Sequence, residues 1–269
     1  MSRQEFLTIA MNTSQPLSIA EPVSFDASAF ASQALSNSAS LAAVLDHTLL
    51  KPEATRAQVI RLCHEAAEHR FACAMVNPTW VPLAVETLAG TGIPVGVVVG
   101  FPLGASLSAS KADETKRLIK LGAHDIDMVM NIGLLKSGSK DDFEAVRQDI
   151  RVIVDIAHGG GGIVKVILET CLLSFEEKLR ASEIALVAGA DFIKTSTGFS
   201  TGGATVDDIS LMRGVVGPRA GVKASGGIRS LSDATAMLHA GASRIGASAS
   251  VKILAELSDR AAPAAIAGY

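Results

Sequence analysis

Beyond phenylalanine the chain has almost no aromatic side chains. Its 269 residues include one Trp and one Tyr, and aromatics make up 4% of the total. A core of any size must therefore come from Val, Ile, Leu and Ala, in a composition that is 48% hydrophobic. Such cores suit parallel strands covered on both faces. Cysteine is scarce too. Cys63, Cys73 and Cys171 are odd in number and lack metal-ligand spacing, which argues against a disulfide scaffold and a zinc site. They read as reduced packing residues in a cytoplasmic protein. No apolar run approaches the roughly 20 residues of a membrane span. An excess of positive charge is also missing: the formal net charge is −3, which argues against a general nucleic-acid surface or an anionic membrane as partner. A small phosphorylated molecule stays compatible, because its site needs only local positive potential.

Two nucleotide fingerprints are absent as well, G-x-x-x-x-G-K-[ST] and a strand-linked G-x-G-x-x-G. What is present, from residue 41 onward, is an alternation of short β-rich runs with amphipathic helical stretches. The expected strands are 44–48, 73–76, 95–100, 126–130, 163–168, 192–196, 221–225 and 244–247. In 56–69 the residues Val59, Leu62, Cys63 and Ala66 share one helical face, and in 142–157 so do Val146, Ile150, Ile153, Val154 and Ala157. A small repeat supports the unit: Leu121-Gly122-Ala123, Ala188-Gly189-Ala190 and Ala240-Gly241-Ala242 each precede a strand, where Gly can take a left-handed helix cap. Eight such units favour an α/β fold of the closed (β/α)₈ TIM-barrel type over a doubly wound sheet.

The division expected is a flexible N-terminal extension over 1–40, a barrel over 41–258 and a tail over 259–269. The extension is rich in Ser, Ala, Asn and Gln without sustained periodicity, and short helix is expected there only near 30–35. It lacks the basic start and apolar middle of a secretory signal.

The informative residues are charges inside apolar strands. Lys165 lies in Ile163-Val164-Lys165-Val166-Ile167, Lys194 in Phe192-Ile193-Lys194-Thr195 and Lys223 in Val222-Lys223-Ala224. Strand alternation sets each lysine opposite its apolar neighbours. If those neighbours meet the helices, all three lysines face the lumen on successive strands. By the same alternation Asp127 points inward, and Asp46 ends an apolar run on the first strand. A single strand lysine is more often exposed at a strand end. Three on adjacent strands are a different matter, because charges are seldom buried unpaired. Crowding and desolvation lower a lysine pKa, and a neutral amine attacks carbonyls to form a Schiff base. Neighbouring carboxylates can carry the protons. After the seventh and eighth strands come Ser225-Gly226-Gly227 and Gly246-Ala247-Ser248, where barrels of this type frequently bind phosphate. Glycine pairs also make plain turns, so it is their place beside the lysine strands that counts.

Six motifs carry a resemblance. They are Leu45-Asp46-His47-Thr48-Leu49-Leu50-Lys51-Pro52, Gly100-Phe101-Pro102-Leu103-Gly104, Asp125-Ile126-Asp127-Met128-Val129, Lys165-Val166-Ile167-Leu168-Glu169-Thr170, Phe192-Ile193-Lys194-Thr195-Ser196-Thr197-Gly198 and Val222-Lys223-Ala224-Ser225-Gly226-Gly227. In this order, over 41–257, the chain resembles the deoxyribose-phosphate aldolases, a class I aldolase family. The resemblance implies reversible cleavage of 2-deoxy-D-ribose 5-phosphate to acetaldehyde and D-glyceraldehyde 3-phosphate, a step of deoxyribonucleotide catabolism in the cytoplasm, with no metal and no cofactor. It implies that Lys194 forms the Schiff base, a choice among three lysines that spacing leaves open. It makes Lys223 the neighbour that depresses the Lys194 pKa and Asp127 the acid/base of a proton relay. Asp46 and Lys165 follow as supporting residues. Thr48, Gly198, Gly226, Gly227 and Ser248 match substrate and phosphate positions. Tyr269 matches a C-terminal tyrosine that reaches the site in some members.

The chain also departs from the family. Phe199 stands where some relatives carry a phosphate-holding lysine, Ala249 follows Ser248 where a second serine is common, and Met75 replaces a frequent cysteine. The partners implied are sugar phosphates and aldehydes, and a homodimer is among the assemblies allowed. Two other readings compete: another Schiff-base aldolase of the same fold, and a non-catalytic sugar-phosphate-binding barrel. The sensor has no use for a buried amine pair, which disfavours it.

Overall fold

The structure, a computed structural model, describes residues 24–261. Eight parallel strands close into a barrel in sequence order: β1 Leu45–Leu49, β2 Cys73–Val76, β3 Val95–Val99, β4 Asp125–Val129, β5 Ile163–Ile167, β6 Phe192–Lys194, β7 Gly221–Ser225 and β8 Arg244–Ala247. The last strand returns to the first through the pairs Leu45↔Ile245 and Asp46↔Gly246. All eight fall on the expected segments, shifted or trimmed by at most a residue or two.

Eleven described helices surround or cap the barrel: α1 Ala27–Ala34, α2 Ser38–Ala42, α3 Arg56–His69, α4 Val81–Thr87, α5 Ser108–Lys120, α6 Ile132–Ser137, α7 Lys140–Gly159, α8 Phe175–Val187, α9 Val206–Val216, α10 Leu231–His239 and α11 Ser250–Ala261. Side chains mark where several begin. Thr55 with Gln58, Ser139 with Asp142, Ser174 with Glu177 and Ser230 with Asp233 form reciprocal capping boxes that satisfy free backbone N–H groups. The repeated glycines mark where three of them end. Gly122, Gly189 and Gly241 follow the ends of α5, α8 and α10 with φ of 99°, 92° and 113°, a backbone that side chains rarely adopt. The main core lies between strands and helices, where Val97, Ile126, Val164, Val166, Ile193 and Val222 meet Leu62, Val146, Ile150 and Ile184.

The flexible extension expected over 1–40 is corrected for its last part. Helices α1 and α2 pack on α10 and α11, with Ala31, Ala34, Leu41 and Ala42 buried. Asp26 and Asn37 cap them by accepting from the N–H groups of Ala29 and Ser40, and the Arg213 guanidinium stacks 3.9 Å from the Phe25 ring centre. Apart from Leu41 the buried stripe is built from alanines, which give too little contrast with serine and asparagine to show as a pattern. The expectation for 1–23 lies outside the described residues. At the other end, 259–261 continue α11, and Tyr269 lies outside the described residues. Among the described residues no helix is long and apolar enough to cross a membrane. Cys63 and Cys73 are buried packing residues, whereas Cys171 is exposed, a correction to the expectation that all three pack inside.

Candidate active site

Inside the barrel the strand alternation gathers charge on one side. Asp125 and Asp127 on β4, Lys165 on β5, Lys194 on β6, Lys223 on β7, and Asp46 on β1 are all buried. The register sets Asp127 level with Lys165 and Lys194 level with Lys223. Lys223 fits because β8 offers no side chain at Gly246: a Cβ there would stand 2.9 Å from the Lys223 Cε.

The side chains form one network. The Lys194 Nζ donates to Asp127 Oδ2 at 2.7 Å, and Lys223 Nζ donates to the same oxygen at 2.7 Å and to Asp46 Oδ2 at 2.5 Å. Lys165 Nζ donates to Asp125 Oδ2 at 2.5 Å and lies 3.2 Å from Asp127 Oδ1. Arg244 on β8 donates to Asp46 Oδ1 at 2.8 Å. Four basic side chains of the lumen thus meet three carboxylates, and from outside it the His124 ring reaches Asp125 Oδ1 at 2.7 Å.

The groups differ in how firmly each holds its proton. Burial, reinforced by the Lys223 and Lys165 ammoniums and opposed by Asp127, brings Lys194 down to about 8. Burial also works against Lys165, but Asp127, Asp46 and Asp125 together hold its ammonium well above the usual lysine range. Asp127 would be raised by burial, yet Lys165, Lys194 and Lys223 keep it well below the usual carboxylate range. Asp46 is lowered by Lys223, Lys165 and Arg244 against the same burial. Near neutral pH the network therefore holds charged carboxylates, a fixed Lys165 ammonium and, at Lys194, an amine that releases its proton easily. Such an amine can add to a carbonyl, and Asp127 is within proton-transfer distance of it. Burial is the leading cause of the Lys194 shift, with Lys223 second to it.

The other side of the lumen is apolar. Leu50, Cys73, Met75 and Val98 form a second buried cluster, with Phe101 packed against it. Gly96 makes room for it, since a Cβ there would come within 2.5 Å of both Cys73 Sγ and Met75 Cε. Burial and then the Asp125 and Asp46 carboxylates push the Cys73 thiol well above its ordinary value, so it shares the lumen without becoming a nucleophile. Asp46, Cys73 and Asp125 bring three potential metal-ligating atoms within 4.8 Å of one another. Both carboxylates there already accept hydrogen bonds from protein cations, Arg244 and Lys223 on Asp46 and Lys165 on Asp125.

At the C-terminal mouth, Gly198, Gly226 and Gly227 have φ of 85°, 87° and 82°. A Cβ on Gly226 would lie 3.8 Å from the Gly198 Cα, whereas one on Gly227 would meet open space. Ser248 is exposed, two residues beyond the Ser225–Gly246 pair and just ahead of α11. The Thr48 hydroxyl donates to the Asp46 carbonyl. Phe199 is half exposed, its ring set edge-on to Phe101 with 5.2 Å between centres. The Ser196 hydroxyl, two residues past Lys194, is buried without a partner.

Sequence reasoning passed over three members of this neighbourhood. Asp125 was legible, since it shares the parity of Asp127. Arg244 opens an apolar strand, as a charge at a strand end ordinarily does. Glu169 lies in a matched motif, but its left-handed backbone has no sequence signal.

Comparison with known proteins agrees in one direction. The profile of the DeoC/LacD family aldolases matches residues 40–256. A deoxyribose-phosphate aldolase of Geobacillus sp. (strain WCH70) is 55% identical over 214 residues, 80% of this chain and 94% of that protein. One of Bacillus cereus (strain AH187) is 57% identical over the same shares. Among solved structures, the tetrameric deoxyribose phosphate aldolase of Aeropyrum pernix superposes with a TM-score of 0.80 at 34% identity, covering 87% of this chain and 98% of that one.

Proposed function

The chain belongs to the DeoC/LacD family of aldolases, and on that premise we propose that it cleaves 2-deoxy-D-ribose 5-phosphate to acetaldehyde and D-glyceraldehyde 3-phosphate through a Schiff base on Lys194. The observation that carries this reading is the Lys194 amine, buried, brought down to about 8 and 2.7 Å from Asp127.

In this reading the neutral Lys194 amine adds to the C1 carbonyl of the open-chain sugar, and loss of water gives the iminium. The C3 hydroxyl gives up its proton while the C2–C3 bond breaks. Its electron pair moves to the iminium nitrogen, glyceraldehyde 3-phosphate leaves, and an enamine remains. Protonation at C2 and hydrolysis release acetaldehyde and restore the amine. Asp127, which touches both Lys194 and Lys223, takes up and returns protons. Lys223 disfavours the protonated Lys194, and Lys165 with Asp46 holds Asp127 and Lys223 in place. At the mouth Thr48 binds the sugar, and the N–H groups around Gly198, Gly226 and Gly227, with Ser248 ahead of α11, take the phosphate. The chemistry calls on no metal and no cofactor.

Retro-aldol assays with 2-deoxy-D-ribose 5-phosphate, following both products, test the proposal. Turnover with release of acetaldehyde supports it. Turnover only with a different donor aldehyde would mean another Schiff-base aldolase of this fold, and binding without turnover would mean a sugar-phosphate sensor. With this substrate the reaction belongs to deoxyribonucleotide catabolism in the cytoplasm. A homodimer is among the assemblies allowed, and the Aeropyrum pernix relative is described as a tetramer; sedimentation of the purified protein decides between them.

A further inference from the structure

We propose that Glu169 is a positioning residue for the acceptor side of the site, and that its carboxylate fixes the turn of Thr197, Gly198 and Phe199 that follows the Schiff-base strand. This rests on the assignment of Lys194 above.

The first observation is the backbone. Glu169 has φ 56° and ψ 63°, the left-handed region. Among the described residues only one other non-glycine, Arg70, has positive φ, and it closes helix α3, where a left-handed residue is ordinary. Glu169 closes no helix. It lies between the end of β5 and a single 3₁₀ turn, Thr170–Leu172. Strain of this kind persists where the surroundings over-determine it, and it gathers at functional sites.

The second observation is what the strained backbone aims. The Glu169 side chain turns toward the strand beside it. Its two carboxylate oxygens accept from the Thr197 N–H at 3.3 Å each, and one of them accepts a short hydrogen bond from the Thr197 hydroxyl. That hydroxyl in turn accepts from the Phe199 N–H at 3.0 Å. One carboxylate thereby sets Thr197 directly and Phe199 through it, with Gly198 between them. Glu169 is buried, so these bonds are shielded from water and hold more strongly than surface ones. Lys194, the last residue of β6, stands three residues before Thr197, while Phe199 meets Phe101 at the mouth. The clamp therefore reaches the part of the site that receives the phosphorylated half of the sugar, and touches none of the lumenal amines.

The division gives a test that a merely structural role would not pass. Glu169→Asn tolerates the same backbone region but falls short of Thr197. Glu169→Gln keeps the reach and one acceptor oxygen. Steady-state kinetics with 2-deoxy-D-ribose 5-phosphate are read beside borohydride trapping with acetaldehyde alone, which engages Lys194 without the acceptor half. Hydrogen exchange of the 195–203 peptide is measured in the same proteins. Glu169→Asn should raise KM about tenfold, the equivalent of one lost hydrogen bond to a charged group. It should speed exchange in 195–203 and leave trapping and the pH profile as in the parent protein. Glu169→Gln should recover most of the affinity. If Glu169→Asn leaves KM and exchange unchanged, or lowers trapping and kcat along with affinity, the proposal is overturned. Failure of the parent protein to trap acetaldehyde would instead sink the Lys194 assignment, and the exchange measurement would still decide whether Glu169 holds the turn.

Discussion

Two groups of buried lysines in this molecule have opposite fates. Lys111, on α5 outside the barrel, is fully buried, and its Nζ donates to Asp149 Oδ2 at 2.6 Å and to the Val129 carbonyl at 3.0 Å. One cation meets one carboxylate, and the pair ties two helices to the end of β4. In the lumen four basic groups share three carboxylates, and two amines share one oxygen of Asp127. Burial of a lysine is thus no sign of chemistry in itself. The lumen differs in that two of its amines compete for one carboxylate oxygen, and burial there brings one of them, Lys194, down to about 8. The apolar half around Met75 and Val98 adds to this by keeping the space beside the network dry, so desolvation leads the causes of the Lys194 shift.

Removing the reactive member breaks this contrast most sharply. Lys194→Ala should lower kcat by about 10⁴-fold or more, as loss of a covalent catalyst does, and abolish borohydride trapping, while far-ultraviolet circular dichroism stays that of the parent. Asp127→Asn keeps the shape but removes basicity, and kcat should drop at least about a hundredfold. A change confined to KM would make Asp127 a binding residue.

The paired lysine should behave in the reverse manner. Lys111→Met leaves Asp149 buried and unmatched, which costs about 3–5 kcal/mol in urea unfolding, with kcat of the folded protein unchanged. Adding Asp149→Leu should restore most of that stability. If Lys111→Met instead shifts the pH–rate profile, the separation of the two groups is wrong. The smallest effect concerns Cys73. Two acetaldehydes condense and lose water to an α,β-unsaturated aldehyde that adds thiolates, but the raised pKa of Cys73 leaves too little thiolate, so concentrated acetaldehyde should give no adduct there by mass spectrometry. Met75→Cys should put a thiol beside it that is modified faster. Equal decay of both proteins would count against this.

The sequence made the barrel legible because eight apolar runs and their glycine-capped helices repeat, and parity alone turned Lys165, Lys194, Lys223 and Asp127 inward. It could not rank the lysines, since rank depends on which carboxylate oxygen each reaches across strands that are far apart in the chain. Lys111 escaped notice for a related reason. In Ser108-Ala109-Ser110-Lys111-Ala112-Asp113 it looks like any residue of a solvated helix, and its partner lies 38 positions away. The docked helices α1 and α2 were hidden by their alanine stripe, and Glu169 by a backbone conformation that leaves no trace in composition.

The chemistry of the lumen turns on the titration of one amine. The rate of borohydride trapping at Lys194 with acetaldehyde, followed against pH, reports its neutral fraction. That fraction grows as pH rises through the pKa, so the rate should climb with a midpoint near 8. In Lys223→Leu a positive neighbour is gone and Asp127 is freed to favour the protonated amine, so the midpoint should move to higher pH. A parent midpoint at the ordinary lysine value of about 10.4, an adduct on a different lysine, or a midpoint indifferent to Lys223→Leu would contradict the claim that the crowded, dry lumen makes Lys194 the nucleophile.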